Sequence, residues 1–167
     1  MRWILFLSLP VSLFAQADAA SQVERGQAVF LDGVKGCASC HALKGKGTAV
    51  GPDLMGIGRL AAPAIAMAAR STVSQYVERV ELKSKEAFPG FPVKKDDTSA
   101  TYYDLSKNPP ELRTLDKAQI AASRGNDLWK HPPAATRISA EDLADVVAYI
   151  RYCASGQKTA VNPDDAR

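Results

Sequence analysis

Length, composition and charge exclude two classes of protein. The chain has 167 residues, enough for one domain with its own hydrophobic core. It carries 21 lysines and arginines against 18 acidic residues, a formal net charge of +3. No basic stripe accompanies this small excess, so the sequence does not predict a nucleic-acid-binding protein. Beyond the amino-terminal segment, no stretch is apolar and long enough to cross a bilayer.

The first 17 residues have the three parts of a secretory signal peptide. Arg2 supplies a positive charge, residues 3–14 form an apolar run, and residues 15–17 supply the small residues of a cleavage site. We expect cleavage near Asp18, export to the periplasm or otherwise out of the cytoplasm, and no membrane span in the mature protein. An uncleaved anchor is the alternative, although the run is short and interrupted by polar residues.

The mature domain is predicted to cover residues 18–156 and to begin with a helix over residues 21–31. Ser21 can cap that helix, with Glu24 three residues later, and apolar residues recur along one side. Gly26 lowers helix propensity. Either another helix crosses closely at this residue, or the glycine is simply tolerated.

The segment Cys37-Ala38-Ser39-Cys40-His41 has the C-x-x-C-H spacing at which c-type haem is attached. Both thiols would form thioethers with the porphyrin, and the His41 imidazole would bind the iron. A thioredoxin-like site would need a βαβ setting and has no use for the histidine. A zinc ribbon would need a second Cys/His pair, and Cys153 and His131 are far apart in sequence. We therefore predict one covalent haem c on Cys37, Cys40 and His41.

After a short basic loop, residues 51–59 read G-P-D-L-x-G-I-G-R. Together with C-x-x-C-H, this segment resembles the class I cytochrome c family. The resemblance implies that the Pro52 carbonyl accepts a hydrogen bond from Nδ1 of His41, which would fix the tautomer of the ring. It also implies that Arg59 contacts a haem propionate.

The region before the last helix departs from a minimal cytochrome. Residues 60–70 are rich in alanine and are predicted to be helical. Strand-like and turn-like segments follow: residues 76–83, 98–105 and 112–115 favour strands, and residues 88–92 favour a turn-rich connector. We interpret residues 72–125 as a small antiparallel β insertion in a mainly α-helical cytochrome c fold. This layout resembles the bacterial c-type cytochromes that accompany quinoprotein dehydrogenases.

The last helix has clear boundaries in the sequence. Ser139 begins a capping box, Gly156 ends the helix, and apolar residues recur at helical spacing: Leu143, Val146, Val147 and Ile150. Cys153 is expected to be a buried apolar residue of this helix. In the cytochrome c family the first and last helices cross at a small residue that faces an aromatic one. The resemblance gives these roles to Gly26, Phe30 and Tyr149. The polar tail, residues 157–167, is expected to fray.

The second axial ligand of the iron is predicted to be His131. The family resemblance implies a methionine before a proline-containing loop, and this chain has Lys130-His131-Pro132-Pro133 there. Imidazole binds iron well, and the two prolines stiffen the loop. Met67, or an open or labile site, is the alternative. Trp129 either donates to a propionate or packs against the loop.

We expect an electron-transfer protein that exchanges single electrons with redox partner proteins, rather than an enzyme. The β insertion favours a docked subunit, with a quinoprotein dehydrogenase or a terminal oxidase as partner, over a freely diffusing carrier. Four lysines form either a docking rim or an ordinary solvated surface: Lys35, Lys44, Lys46 and Lys130. The alternative class is a haem enzyme or gas sensor with a displaceable sixth ligand.

Overall fold

The computed structural model describes residues 12–33, 36–71 and 76–167. Most of the predicted signal peptide, and Lys35, lie outside these residues. The α helices are α1 Ser12–Leu31, α2 Cys37–Cys40, α3 Ala62–Arg70, α4 Pro133–Thr136 and α5 Ala140–Ser155. Short 3-10 helices cover Ile57–Arg59, Lys117–Gln119 and Pro163–Ala166. The strands are β1 Ala42–Leu43, β2 Lys46–Gly47, β3 Glu78–Leu82, β4 Ala87–Lys95, β5 Ser99–Asp104, β6 Glu111–Asp116 and β7 Ile120–Gly125.

Helices α1 and α5 cross at Gly26, and this crossing organises the helical half of the molecule. A Cβ atom at Gly26 would overlap the carbonyl oxygen of Asp145 and lie 3.0 Å from Cβ of Tyr149. The rings of Phe30 and Tyr149 pack beside the crossing with centroids 5.8 Å apart. The glycine is therefore required by close approach of a backbone, and the predicted helix crossing is confirmed.

Helix α5 has the boundaries that its sequence predicts. The Ser139 hydroxyl accepts a hydrogen bond from the Asp142 amide at 3.0 Å, which satisfies a free donor of the first turn. Gly156 adopts a left-handed conformation with φ of 75° and ends the helix. The predicted apolar face and Cys153 are buried in the helical core. The predicted helix over residues 60–70 is also confirmed, as α3.

The predicted start of the first helix at Ser21 is wrong. Helix α1 already includes Ser12, and the Ser21 hydroxyl donates to the carbonyl of Asp18 within the helix. Residues 15–20 are mostly alanine, which has the highest helix propensity, so no capping residue is needed at Ser21. In the described residues no helix, α1 included, combines the length and apolar character that a bilayer span requires.

A five-stranded antiparallel sheet occupies most of the region between α3 and α5, in the strand order β6-β5-β4-β3-β7. Its core consists of Val80, Leu82, Phe88, Ala100, Tyr102 and Leu115, and these form a cluster separate from the helical core. The structure has 39% helix and 25% strand. The expectation of a mainly α-helical fold is therefore wrong.

The expected connector at residues 88–92 is in fact the middle of β4. Pro89 pairs with β3 just before the pairing with β5 begins, and its carbonyl accepts from the Leu105 amide. Pro92 pairs with β5 beyond the end of β3, next to a register shift. Proline is tolerated where a strand has a free side. At Gly90, where β4 changes partner, a Cβ would lie 2.9 Å from Val80 and 3.0 Å from Tyr102. The prolines and the glycine are therefore compatible with a strand that pairs first with β3 and then with β5.

The carboxyl-terminal tail is docked, so the expectation that it frays is wrong. Val161 and Ala166 are 4% and 0% exposed. The Gln22 amide donates to the Val161 carbonyl and accepts from the Val161 amide, both at 2.8 Å. Arg70 donates to the carbonyl of Ala166 at 2.9 and 3.0 Å. Two buried apolar residues and four hydrogen bonds hold a segment that is otherwise polar.

We predict that Gly26→Ala destabilises the holoprotein, although alanine favours a helix by about 1 kcal/mol over glycine. Because the clash is with backbone atoms, the free energy of unfolding should fall by about 1–3 kcal/mol, as in overpacked cores. Gly56→Ala is the matched control, since a Cβ there meets nothing within 4 Å and Gly56 is not among the described residues that line the cavity. Urea unfolding followed by circular dichroism measures both, and equal stability of the two variants would contradict the account.

Candidate functional site

The C-x-x-C-H segment forms one helical turn followed by an extended residue. Gly36 precedes α2 in a left-handed conformation with φ of 80°, and the His41 amide donates to the Cys37 carbonyl at 2.9 Å. His41 itself is extended, with φ of −116° and ψ of 134°. This turn brings Cys37, Cys40 and His41 to the wall of one cavity. Neither cysteine forms a disulfide, so both sulfur atoms are available for thioether bonds to a porphyrin.

The cavity lies between the helical half and the sheet, with a volume of about 540 Å³. Cofactor sites commonly have about 300–1,000 Å³. Apolar residues of the helical half form much of the wall, including Phe30, Ile65 and Val146. The sheet half adds Val77, Phe91 and most of the loop after β5: Leu105, Ser106, Lys107, Asn108 and Pro110. The sequence analysis missed these sheet residues, because no motif marks a wall residue on an inserted strand.

His41 is fixed from behind by the backbone. Its Nδ1 lies 2.8 Å from the carbonyl oxygen of Pro52, which accepts a hydrogen bond in the tautomer that leaves Nε2 available. A Cβ at Gly51 would lie 2.8 Å from Cε1 of the ring, so only glycine leaves room for this ring position. Burial lowers the pKa of His41. These contacts favour a neutral, oriented imidazole.

His131 lines the same cavity as His41, and the two rings lie close together. The two ring centroids are 6.3 Å apart, and the ring planes differ by 38°. Nδ1 of His131 lies 2.9 Å from the carbonyl oxygen of Ser71, and the Trp129 ring packs beside it at a centroid distance of 5.4 Å. Both histidines thus use Nδ1 for a backbone carbonyl, which leaves Nε2 of each for another partner.

This donor set fits a haem iron. Two imidazoles on opposite sides of one metal ion, with metal–nitrogen bonds of about 2 Å each, place their centroids roughly 6 to 6.5 Å apart. The observed 6.3 Å is in this range. Two thiols line the same cavity at the C-x-x-C-H spacing. In the described residues, no cluster of three or more histidine, cysteine or acidic side chains offers another metal site.

A protein-family model described as cytochrome c matches residues 23–154. The chain belongs to the cytochrome c family. This c-type cytochrome therefore binds haem c covalently, and Cys37 and Cys40 have the spacing for its attachment. The family supports a haem-binding protein of electron transfer. No curated protein matches the chain.

Arg59 and Met67 are not among the described residues that line the cavity of this cytochrome. Arg59 is exposed. Met67, the alternative sixth ligand, is 72% exposed on α3, whereas Ile65, Ala68 and Ala69 of that helix face the cavity. The geometry thus favours His131 over Met67 as the group opposite His41.

Three of the four lysines considered for either a docking rim or an ordinary solvated surface are described, and all three are exposed: Lys44, Lys46 and Lys130. Lys130 lines the cavity next to His131. Lys44 instead lies over the Tyr152 ring, 5.7 Å from its centroid, together with Lys158 at 5.8 Å. These two lysines therefore contribute to a cation–π cluster at the end of α5.

We predict that Gly51→Ala disturbs the cytochrome at His41. The added methyl group must push the imidazole away from the Pro52 carbonyl, so the reduction potential should change and the free energy of unfolding should fall by about 1–3 kcal/mol. Gly56→Ala is the matched control, because a Cβ at Gly56 meets nothing within 4 Å. Redox titration and urea unfolding measure the two effects. Identical behaviour of both variants would show that Gly51 does not constrain the ring.

Proposed function

We propose that this cytochrome is an exported monohaem electron carrier whose iron is bound by His41 and His131. The observation that carries the proposal is the pair of imidazole rings, 6.3 Å apart in one cavity and each held at Nδ1 by a backbone carbonyl. The haem supplies the chemistry, since its iron can take up and release one electron. Cys37 and Cys40 would hold the porphyrin covalently, with Pro52 orienting the proximal ligand.

The protein's contribution is to keep the two imidazole ligands and the cavity wall in place while the iron gains or loses an electron. A ring fixed by its neighbouring carbonyl cannot rotate freely or exchange tautomers, so both ligands stay in place. The largely apolar wall excludes water, which would otherwise reorganise around the new charge. Two imidazoles should also give a lower reduction potential than histidine with methionine, because methionine raises it.

The proposals of an exported location and of redox partner proteins rest on features of the sequence. The amino-terminal segment has the form of a secretory signal, and we propose that the mature protein works in the periplasm or an equivalent exported location. We propose redox partner proteins, with a quinoprotein dehydrogenase or a terminal oxidase as candidates. The class I assignment and a role as a docked subunit are part of the same proposal. The sheet supports docking, because it adds surface that a small carrier does not need.

We predict that His131→Ala converts the ferric protein from a low-spin to a high-spin or water-bound form. Loss of one strong axial ligand weakens the ligand field, and added imidazole should restore the low-spin spectrum. Leu128→Ala is the control, because Leu128 is 88% exposed in the same loop. Absorption spectra of oxidised and reduced protein measure the change.

Two results would contradict this assignment. An unchanged ferric spectrum in His131→Ala would remove His131 as the ligand. Rapid and tight binding of carbon monoxide by the reduced wild-type protein would instead favour a haem enzyme or gas sensor with a displaceable ligand.

A further inference from the structure

The charged residues around the cavity are all cationic. Among the described lining residues, Lys107 and Lys130 carry a full charge, and none is an aspartate or glutamate. Haem carries two propionate carboxylates, which need cations or hydrogen-bond donors where they meet protein. We propose that Lys107, on the loop between β5 and β6, binds a haem propionate. The inserted sheet would then hold the cofactor as well as add surface.

The loop that carries Lys107 is anchored at its first turn. Asp104 is 1% exposed and accepts hydrogen bonds from the amide and the hydroxyl of Ser106, at 2.9 and 2.6 Å. The Leu105 amide donates to the Pro89 carbonyl at 2.9 Å. These bonds fix the residues directly before Lys107, so the lysine leaves the sheet from a defined position.

Arg113 supplies the charge that keeps Asp104 ionised in its buried position. Its guanidinium donates to Asp104 at 3.0 Å and to Glu86 at 2.7 Å, and lies 4.4 Å from the centroid of the Phe88 ring. Hydrogen bonds from Ser106 and Arg113 hold the pKa of Asp104 below its usual value despite burial. The Lys107 ammonium also lies within electrostatic range of Glu86. Because Arg113 already pairs with Glu86, Lys107 is not the main partner of that carboxylate.

Lys107 is a better candidate for this contact than the residue that the family resemblance implies. Arg59 and Lys107 are both exposed, but only Lys107 is among the described residues that line the cavity. Lys130 also lines the cavity, but it adjoins His131, so its substitution would disturb the proposed iron ligand as well. Lys107 can be changed without touching either histidine.

The proposal rests on haem occupying this cavity, and its test separates the contact from the iron ligation. Lys107→Gln removes the charge and keeps a hydrogen-bonding side chain. Lys117→Gln is the matched control, because Lys117 is also exposed. It follows Asp116 at the end of the β5–β6 pair where Ser99 pairs with Asp116, and Lys107 lies at the other end. Lys107→Arg keeps the charge. Redox titration gives the potential, and resonance Raman spectroscopy of the propionate bending mode reports the hydrogen bonding of the carboxylates.

We expect Lys107→Gln to shift the equilibrium toward the oxidised form roughly three- to tenfold more than Lys117→Gln, because a nearby positive charge favours the reduced iron. Tenfold corresponds to about 59 mV for one electron. The propionate band should move in Lys107→Gln, and Lys107→Arg should restore the potential.

Three results would overturn the proposal while the low-spin spectrum remains intact. Equal potentials of Lys107→Gln and Lys117→Gln would remove the charge effect. If Lys107→Gln lowers the potential but leaves the propionate band unmoved, the lysine acts on the iron as a distant charge and does not contact the propionate. A propionate band that moves in Arg59→Gln and not in Lys107→Gln would assign the contact to Arg59. Failure of the iron ligation itself would appear separately, as a high-spin wild-type protein.

Discussion

Two imidazole rings line one largely apolar cavity with their centroids 6.3 Å apart, and a backbone carbonyl hydrogen-bonded to Nδ1 holds each ring in place. This spacing has to be maintained by distant parts of the chain. The Pro52 carbonyl comes from the loop after C-x-x-C-H, and the Ser71 carbonyl comes from the end of α3. Helix α3 is in turn tied to the docked tail through Arg70. The geometry of the candidate iron site is therefore a property of the whole helical half.

The cavity also explains why the chain has two cores. The helical cluster around Phe30 and Ile150 and the sheet cluster around Val80 and Tyr102 are separate, and residues of both halves line the space between them. Haem c is large, flat and mostly apolar, so it can act as a shared core for two parts that are each small. In this arrangement the inserted sheet is part of the cofactor site, in addition to any role in docking.

Structure could be predicted from the sequence where the signal is local. Three features depend on residues within a few positions of one another: C-x-x-C-H, the cap at Ser139 and the periodic face of α5. The role of Gly26 at the helix crossing followed from the resemblance to the family. The failures involve contacts between distant residues. Pro89 and Pro92 disfavour a strand, yet each pairs in register with only one neighbouring strand, Pro89 with β3 and Pro92 with β5. The tail was judged from its polarity, whereas Gln22, 139 residues away, holds it in place. Neither the Ser71 carbonyl nor Lys107 belongs to a motif, so only the folded chain relates them to the cavity.

Electron transfer at the proposed site depends most on which two residues bind the iron in the wild-type protein. Near-infrared magnetic circular dichroism of the ferric holoprotein addresses this directly, because the energy of the porphyrin-to-iron charge-transfer band depends on the axial ligand pair. We predict a low-spin spectrum with a single band at the energy of two imidazole ligands. A band at the energy of histidine with methionine, or a high-spin spectrum, would contradict the account.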